Sequence, residues 1–242
     1  MSDYPRIIAH RCGGALAAEN SLAGLAMAAR LGCRAVEFDV MLTADGVPIL
    51  MHDETLERTT RCTGRVAERT LDEIRACDPA VPTLAAAIAE CQRLGLWVNL
   101  ELKPAAGHEA ATGTVVGAWL RAHWDGNGVI SSFSEESALA GRRELPDAPF
   151  ALVYEALPDD WRVSAERLNA RSIHLAAECV DAQTAGALVA AGFPWAVYTV
   201  NQRPIAARLF ELGAAAVFTD RPDLWSRAEM SPGGNNCLQL HC

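Results

Sequence analysis

Short apolar segments alternate with Ala- and Leu-rich helical stretches along almost all of this 242-residue chain. That alternation restricts its fold more than any other feature. Strands are expected at 6–10, 34–40, 47–52, 96–102, 128–132, 149–154, 172–175, 195–200 and 215–219. Helices are expected at 21–31, 70–76, 83–94, 109–122, 135–143, 164–169, 181–191 and 203–212. Such a pattern builds a parallel sheet covered by helices. One connection breaks the rule. Only Thr43, Ala44, Asp45 and Gly46 lie near the junction of 34–40 with 47–52. Parallel neighbours need a crossover of about a dozen residues. Asp45-Gly46 is a hairpin signal, so 47–52 is expected to run antiparallel, as an excursion. Eight strands remain, and eight strands with following helices make a (β/α)8 TIM barrel of the α/β class. A doubly wound open sheet is the runner-up. It would carry a Gly-rich dinucleotide fingerprint, and the sequence has none.

A single domain is expected over 1–230, with a small insertion at about 43–81 that contains the extra hairpin strand after barrel strand 2. Residues 231–242 break the pattern with Ser231, Pro232 and Gly233 and read as a flexible tail. Cys237, His241 and Cys242 within it are weak metal-ligand candidates without a fold around them.

Half the residues are hydrophobic, enough for a large core. No stretch approaches the roughly 18 uninterrupted apolar residues of a membrane span. The formal charge of −9 argues against nucleic acid or an anionic membrane surface as a partner. It leaves room for a local phosphate site. The N-terminus lacks a basic segment followed by an apolar one, so no signal peptide is expected. Eight cysteines include no C-x-x-C pair. Reduced thiols in a cytoplasm are therefore expected.

The chemistry-bearing residues cluster at strand ends. His10 and Arg11 close the first strand, with Gly13-Gly14 allowing close backbone approach. Glu37 and Asp39 are two apart on an otherwise apolar strand, so both point to one face. Two carboxylates aimed into a barrel repel and lose hydration unless a cation sits between them. Asn99, Glu101 and Lys103 share a face by the same period. Glu101 is then a third oxygen ligand, and Lys103 balances a phosphate. His52-Asp53 ends the excursion strand, with Asp53 placed to orient the imidazole. Weaker candidates for the pocket lining are Glu19, Asn20, Ser132, Phe133, Tyr198 and Asn201, with Phe218, Thr219 and Asp220 at another strand end. Cys12 has no base paired to it in the sequence and reads as a packing residue.

Taken together, these residues resemble the glycerophosphodiester phosphodiesterase family. Its motifs are matched at His10-Arg11, Glu19-Asn20, Glu37-Phe38-Asp39-Val40, Asp45-Gly46-Val47-Pro48 and His52-Asp53. They are matched again at Glu101-Leu102-Lys103, Thr199-Val200-Asn201 and Phe218-Thr219-Asp220-Arg221-Pro222. The resemblance covers about residues 6–225. It implies a TIM barrel with a small insertion after the His-Asp element. By the same resemblance His10 and His52 are the general acid/base pair, and Arg11 and Lys103 bind phosphate. Glu37, Asp39 and Glu101 hold Mg²⁺ or Ca²⁺, and the substrate is a small glycerophosphodiester. Four departures stand out. Cys12 replaces Gly, so the backbone there is expected to avoid conformations that only Gly tolerates. Ala18 replaces Pro, Ser21 replaces Thr, and Tyr198 replaces Trp. The insertion is also trimmed, running only from Thr55 to Val81. Two other readings stay open. One is a phospholipase C- or D-like hydrolase acting on lysolipids or phosphoinositides. The other is a silent barrel used for binding, which would have lost a His or a metal carboxylate.

Overall fold

The computed structural model describes residues 4–230. The nine strands are β1 (Ile7–Ala9), β2 (Ala35–Leu42), β3 (Pro48–Leu50), β4 (Trp97–Leu102), β5 (Gly128–Ser132), β6 (Phe150–Tyr154), β7 (Ser172–Ala176), β8 (Trp195–Tyr198) and β9 (Ala216–Thr219). The helices are α1 (Leu22–Leu31), α2 (Leu71–Cys77), α3 (Leu84–Leu94), α4 (Glu109–His123), α5 (Glu135–Glu144), α6 (Trp161–Leu168), α7 (Ala182–Ala190) and α8 (Arg203–Glu211).

Eight of the strands close on themselves. Their order is β1-β9-β8-β7-β6-β5-β4-β2, all parallel, and β1 pairs back onto β2. Strand β3 lies outside the closed ring, antiparallel on β2, with Val40 opposite Leu50 and Leu42 opposite Pro48. The expected TIM barrel and its excursion strand are therefore both present.

Alternation along each strand divides the core in two. On β2, Val36, Phe38, Val40 and Leu42 point outward into the main core beneath the helices. Burying each such side chain contributes roughly 1.5–3 kcal/mol. The inward layer is made of small residues: Ala35, Ala151, Ala196 and Ala216, with Ile8 and Val129. That leaves space for Tyr4, His174 and Phe218, whose rings meet inside the barrel.

Helix ends follow local chemistry. Ser21 caps α1 by accepting from the Gly24 N–H, Thr83 caps α3 through the Ala86 N–H, and Thr70 with Glu73 forms a capping box on α2. Helix α6 begins at Trp161, earlier than the apolar spacing suggests. The buried Trp161 ring packs edge-on against Phe193 and draws the first turn in.

The insertion has its own small core of Met41, Ile49, Met51, Leu56, Val66 and Ile74. Here the structure corrects the expectation of reduced thiols. Cys62 and Cys77 form a disulfide, with Cα atoms 5.7 Å apart and a sequence separation of 15. The fold of the insertion, not a short Cys spacing, brings them together. Cys12, Cys33, Cys91 and Cys179 are free. No helix among the described residues is long and apolar enough to cross a membrane. The 231–242 tail, with Cys237, His241 and Cys242, lies outside the described residues.

Candidate active site

The chain leaves β1 through a tight turn. The His10 N–H donates to Thr219 O at 2.9 Å. Arg11 and Cys12 then take left-handed backbone, with φ of 48° and 77°. This overturns the expectation that Cys12 avoids that region. The turn is fixed from outside the residue. Cys12 N–H donates to Glu37 O at 2.6 Å, and the buried thiol packs beside Gly24, where an added Cβ would come within 2.8 Å of Cys12 Cβ. The same turn aims the Arg11 N–H at Glu37 Oε2, 2.7 Å away.

Strands β2 and β4 bring the carboxylates together. Glu37 pairs in register with Asn99, and Asp39 with Glu101. Oxygens of Glu37, Asp39 and Glu101 all lie within 4.8 Å of one another. Burial and the adjacent carboxylates hold Glu37 well above the usual carboxylate range. Burial first, then Asp39, pushes Glu101 up to about 7. Asn20 braces Asp39, donating from Nδ2 to Oδ2 at 2.9 Å and accepting from the Asp39 N–H at 3.1 Å. Asn99 donates to Ser131 Oγ at 2.9 Å, and its buried Oδ1 has no partner among the described residues. Three clustered carboxylates plus an unpartnered carbonyl oxygen suit a hard divalent cation. Arg11 Nε is likewise buried and unpartnered, and Asp39 Oδ2 is 3.9 Å away.

Both histidines are held at Nδ1. His10 Nδ1 is 2.7 Å from Asp220 Oδ1, and its Nε2 is 3.9 Å from Glu37 Oε2. Asn201 clamps Asp220: its Nδ2 donates to Asp220 Oδ2 at 3.0 Å, and its Oδ1 accepts from the Asp220 N–H at 2.8 Å. The bond to His10, with that from Asn201, holds Asp220 below the usual carboxylate range. His52 Nδ1 is 2.7 Å from Asp53 Oδ1, and its Nε2 is 3.0 Å from Lys103 Nζ. An ammonium only donates, so Nε2 accepts and Nδ1 carries the proton given to Asp53. Burial, with help from Lys103 and Arg11, lowers the His52 pKa. Lys103 also donates to Glu101 Oε1 at 3.2 Å.

Both histidines, Arg11, Lys103, the three carboxylates and Asn99 line one cavity of about 340 Å³ at the C-terminal end of the strands. Its far wall is Phe133, Glu155, His174 and Tyr198. Phe133 and Tyr198 both line the pocket, their rings edge-to-face at 5.9 Å. The other four expected lining residues stand behind it. Glu19 grips Arg11 from the side, Asn20 braces Asp39, Ser132 donates to Leu102 O at 2.8 Å, and Asn201 holds Asp220. Sequence reasoning assigned no role to Arg58, Glu155 or His174. Asp220 stood within a recognised strand end, but its partnership with His10 spans 210 positions. A wider depression of about 790 Å³ lies at the opposite barrel end, beside Arg34, Arg142 and Arg171. None of the clustered acid, base or carboxylate groups reaches it.

The sequence matches the glycerophosphoryl diester phosphodiesterase family over residues 10–224. The chain belongs to that family. Among solved structures, the phosphodiesterase of Oleispira antarctica in complex with the product sn-glycerol-3-phosphate is 32% identical. Its TM-score is 0.87, with 93% of this chain and 97% of that chain covered. A glycerophosphodiester phosphodiesterase of Caldanaerobacter subterraneus subsp. tengcongensis is 28% identical over 90% of this chain and 94% of its own length. Glycerophosphodiester phosphodiesterase 1 of Bos taurus is 41% identical over 114 residues, 42% of this chain. That match spans only 34% of the bovine protein.

Proposed function

We propose that this family member hydrolyses small glycerophosphodiesters to glycerol 3-phosphate and an alcohol, using Mg²⁺ or Ca²⁺. One observation carries the reading. Two Nδ1-anchored histidines, two cationic side chains and three carboxylates with oxygens within 4.8 Å meet around a single cavity. The product-bound relative from Oleispira antarctica supports the substrate class.

The roles follow from the atoms. Arg11, with an unsatisfied Nε, and Lys103 bind the phosphate oxygens. Glu37, Asp39 and Glu101 would hold the cation, which when bound supplies charge to stabilise the phosphoryl oxygens. His10 and His52 present Nε2 to the cavity, because Asp220 and Asp53 occupy the other ring nitrogen. One imidazole takes the proton of the attacking hydroxyl, from water or from the glycerol. The other gives a proton to the departing alkoxide. Phe133 and Tyr198 form the far wall.

We also propose that residues up to 230 form one domain, and that nucleic acid is not a partner given the −9 charge. The cytoplasm is the compartment inferred from the free thiols, Cys179 among them exposed. The Cys62–Cys77 bond is the observation against it.

The test is a panel of glycerophosphocholine, glycerophosphoethanolamine and lysophosphatidylcholine, assayed with and without EDTA. Glycerol 3-phosphate release from the first two, abolished by EDTA and restored by Mg²⁺ or Ca²⁺, is expected. His10→Ala and His52→Ala are each expected to lower turnover about a hundredfold or more. Full turnover in metal-free protein, or cleavage of the lysolipid alone, overturns the reading.

A further inference from the structure

Arg58 lies outside the cavity, yet it touches both halves of the site. Its Nε and Nη2 donate to the two oxygens of Asp53, at 2.5 and 3.0 Å. Its Nη1 and Nη2 donate to the two oxygens of Glu19, both at 2.7 Å. Each carboxylate holds a site residue on its other side. Asp53 Oδ1 is 2.7 Å from His52 Nδ1. Both Glu19 oxygens accept from Arg11 Nη1, at 3.2 Å. The contacts therefore run without a break from His52 through Asp53, Arg58 and Glu19 to Arg11.

We propose that Arg58 is a positioning residue for the reaction, setting His52 through Asp53 and Arg11 through Glu19. The inference rests on the roles given above to His52 and Arg11. Three physical points carry it. First, Asp53 and Glu19 share one guanidinium, so without it two like charges would face each other and move apart. His52 and Arg11 would follow them. Second, the task needs a planar fork that serves two carboxylates at once, which a lysine ammonium does not offer. Third, Arg58 stands on a firm base. Leu56 is fully buried, its N–H donates to Gly64 O at 3.0 Å, and the neighbouring Cys62 is tied to Cys77. The Arg58 side chain is itself 47% exposed. Ion pairs at that exposure add little to stability. Its removal should therefore show in the kinetics and not in the melting temperature.

The experiment compares Arg58→Met and Arg58→Lys with wild type and His52→Ala, on glycerophosphocholine with saturating Mg²⁺. Arg58→Met is expected to lower kcat by about tenfold to a hundredfold, the usual cost of losing a partner that orients a site ligand, and to raise KM. Its melting temperature should stay near that of wild type. The limb of its kcat/KM profile that reports His52 should move to higher pH, because Asp53 then gives its full charge to His52. Arg58→Lys should recover only a minor part of the loss. In an Asp53→Asn background, Arg58→Met should cost less than it does alone, since the His52 branch of the clamp runs through Asp53. Wild-type kcat and an unmoved His52 limb in Arg58→Met overturn the proposal, as does a loss that merely tracks unfolding. If Arg58→Met does not fold, Glu19→Gln and Asp53→Asn each break half of the clamp while leaving Arg58 in place. Unchanged KM in the first and unchanged kcat in the second also overturn it. Full activity in His52→Ala removes instead the reading on which it rests.

Discussion

Gly14 and Cys12 shape the turn that hands His10 to its partner. Gly14 takes a φ of 59°, and a Cβ there would lie 2.3 Å from Asp220 O and 2.7 Å from Asp220 Cα. Asp220 cannot yield freely, because its carbonyl accepts from the Ala15 N–H at 2.8 Å and its carboxylate holds His10. Gly14→Ala should therefore displace Asp220 and cut kcat by about tenfold or more. Far-ultraviolet circular dichroism should remain that of the parent. Parent-like turnover in Gly14→Ala would show that His10 does not depend on Asp220. At this scale the strand carboxylates were legible, because a period of two is a local property. The partnerships of Asp220 with His10 and of Arg58 with Glu19 were not, because each spans a distance in sequence that spacing does not encode. Cys12 was misjudged for a related reason. Its left-handed backbone is imposed by Glu37 O and by the room that Gly24 leaves, neither of which is adjacent in the chain.

Among elements, the insertion is the one that departs most from its sequence reading. The stretch was legible as an interruption, and its helix was placed within a residue of α2. Its internal bonds were not. Thr55 and Arg65 form an isolated antiparallel bridge, and Cys62 and Cys77 are linked across the turn that follows. Disulfide pairing depends on the folded path of both arms, and two cysteines 15 apart carry no signature of it. A bridge closing a loop of that length contributes about 3 kcal/mol in the chain-entropy picture. Cys77→Ser should thus lower the unfolding free energy obtained from urea titration by an amount of that order. It should also make the parent's sensitivity to dithiothreitol disappear. Peptide mapping of protein isolated without reductant should recover the two cysteines as one linked pair. Two free thiols in that map would restore the reduced reading and remove the objection to a cytoplasmic setting.

For the whole molecule, the count of eight barrel strands was reachable from sequence because one strand disqualified itself by its short connection. Closure of β1 onto both β2 and β9 was implied by that count alone. The contents of the barrel were less visible. Inward alanines make room for a plug of Tyr4 and His174, and a run of small residues does not say which distant ring will fill the space. The Tyr4 hydroxyl lies 2.7 Å from Ser172 Oγ and 3.0 Å from His174 Nε2. Burial pushes His174 down to about 3, against about 6.5 in an unfolded chain. The folded state therefore binds fewer protons than the unfolded one throughout that interval. Stability from the neutral ring is complete above about pH 6.5 and is lost as pH falls toward 3, at up to roughly 1.4 kcal/mol per pH unit. His174→Gln keeps a hydrogen-bonding group opposite Tyr4 but does not titrate. Urea unfolding of both proteins between about pH 6.5 and 4.5 should give the wild type the steeper loss, since carboxylate protonation affects the two alike. Parallel slopes would mean that His174 gains its proton without leaving the barrel, and that the plug opens before the fold does.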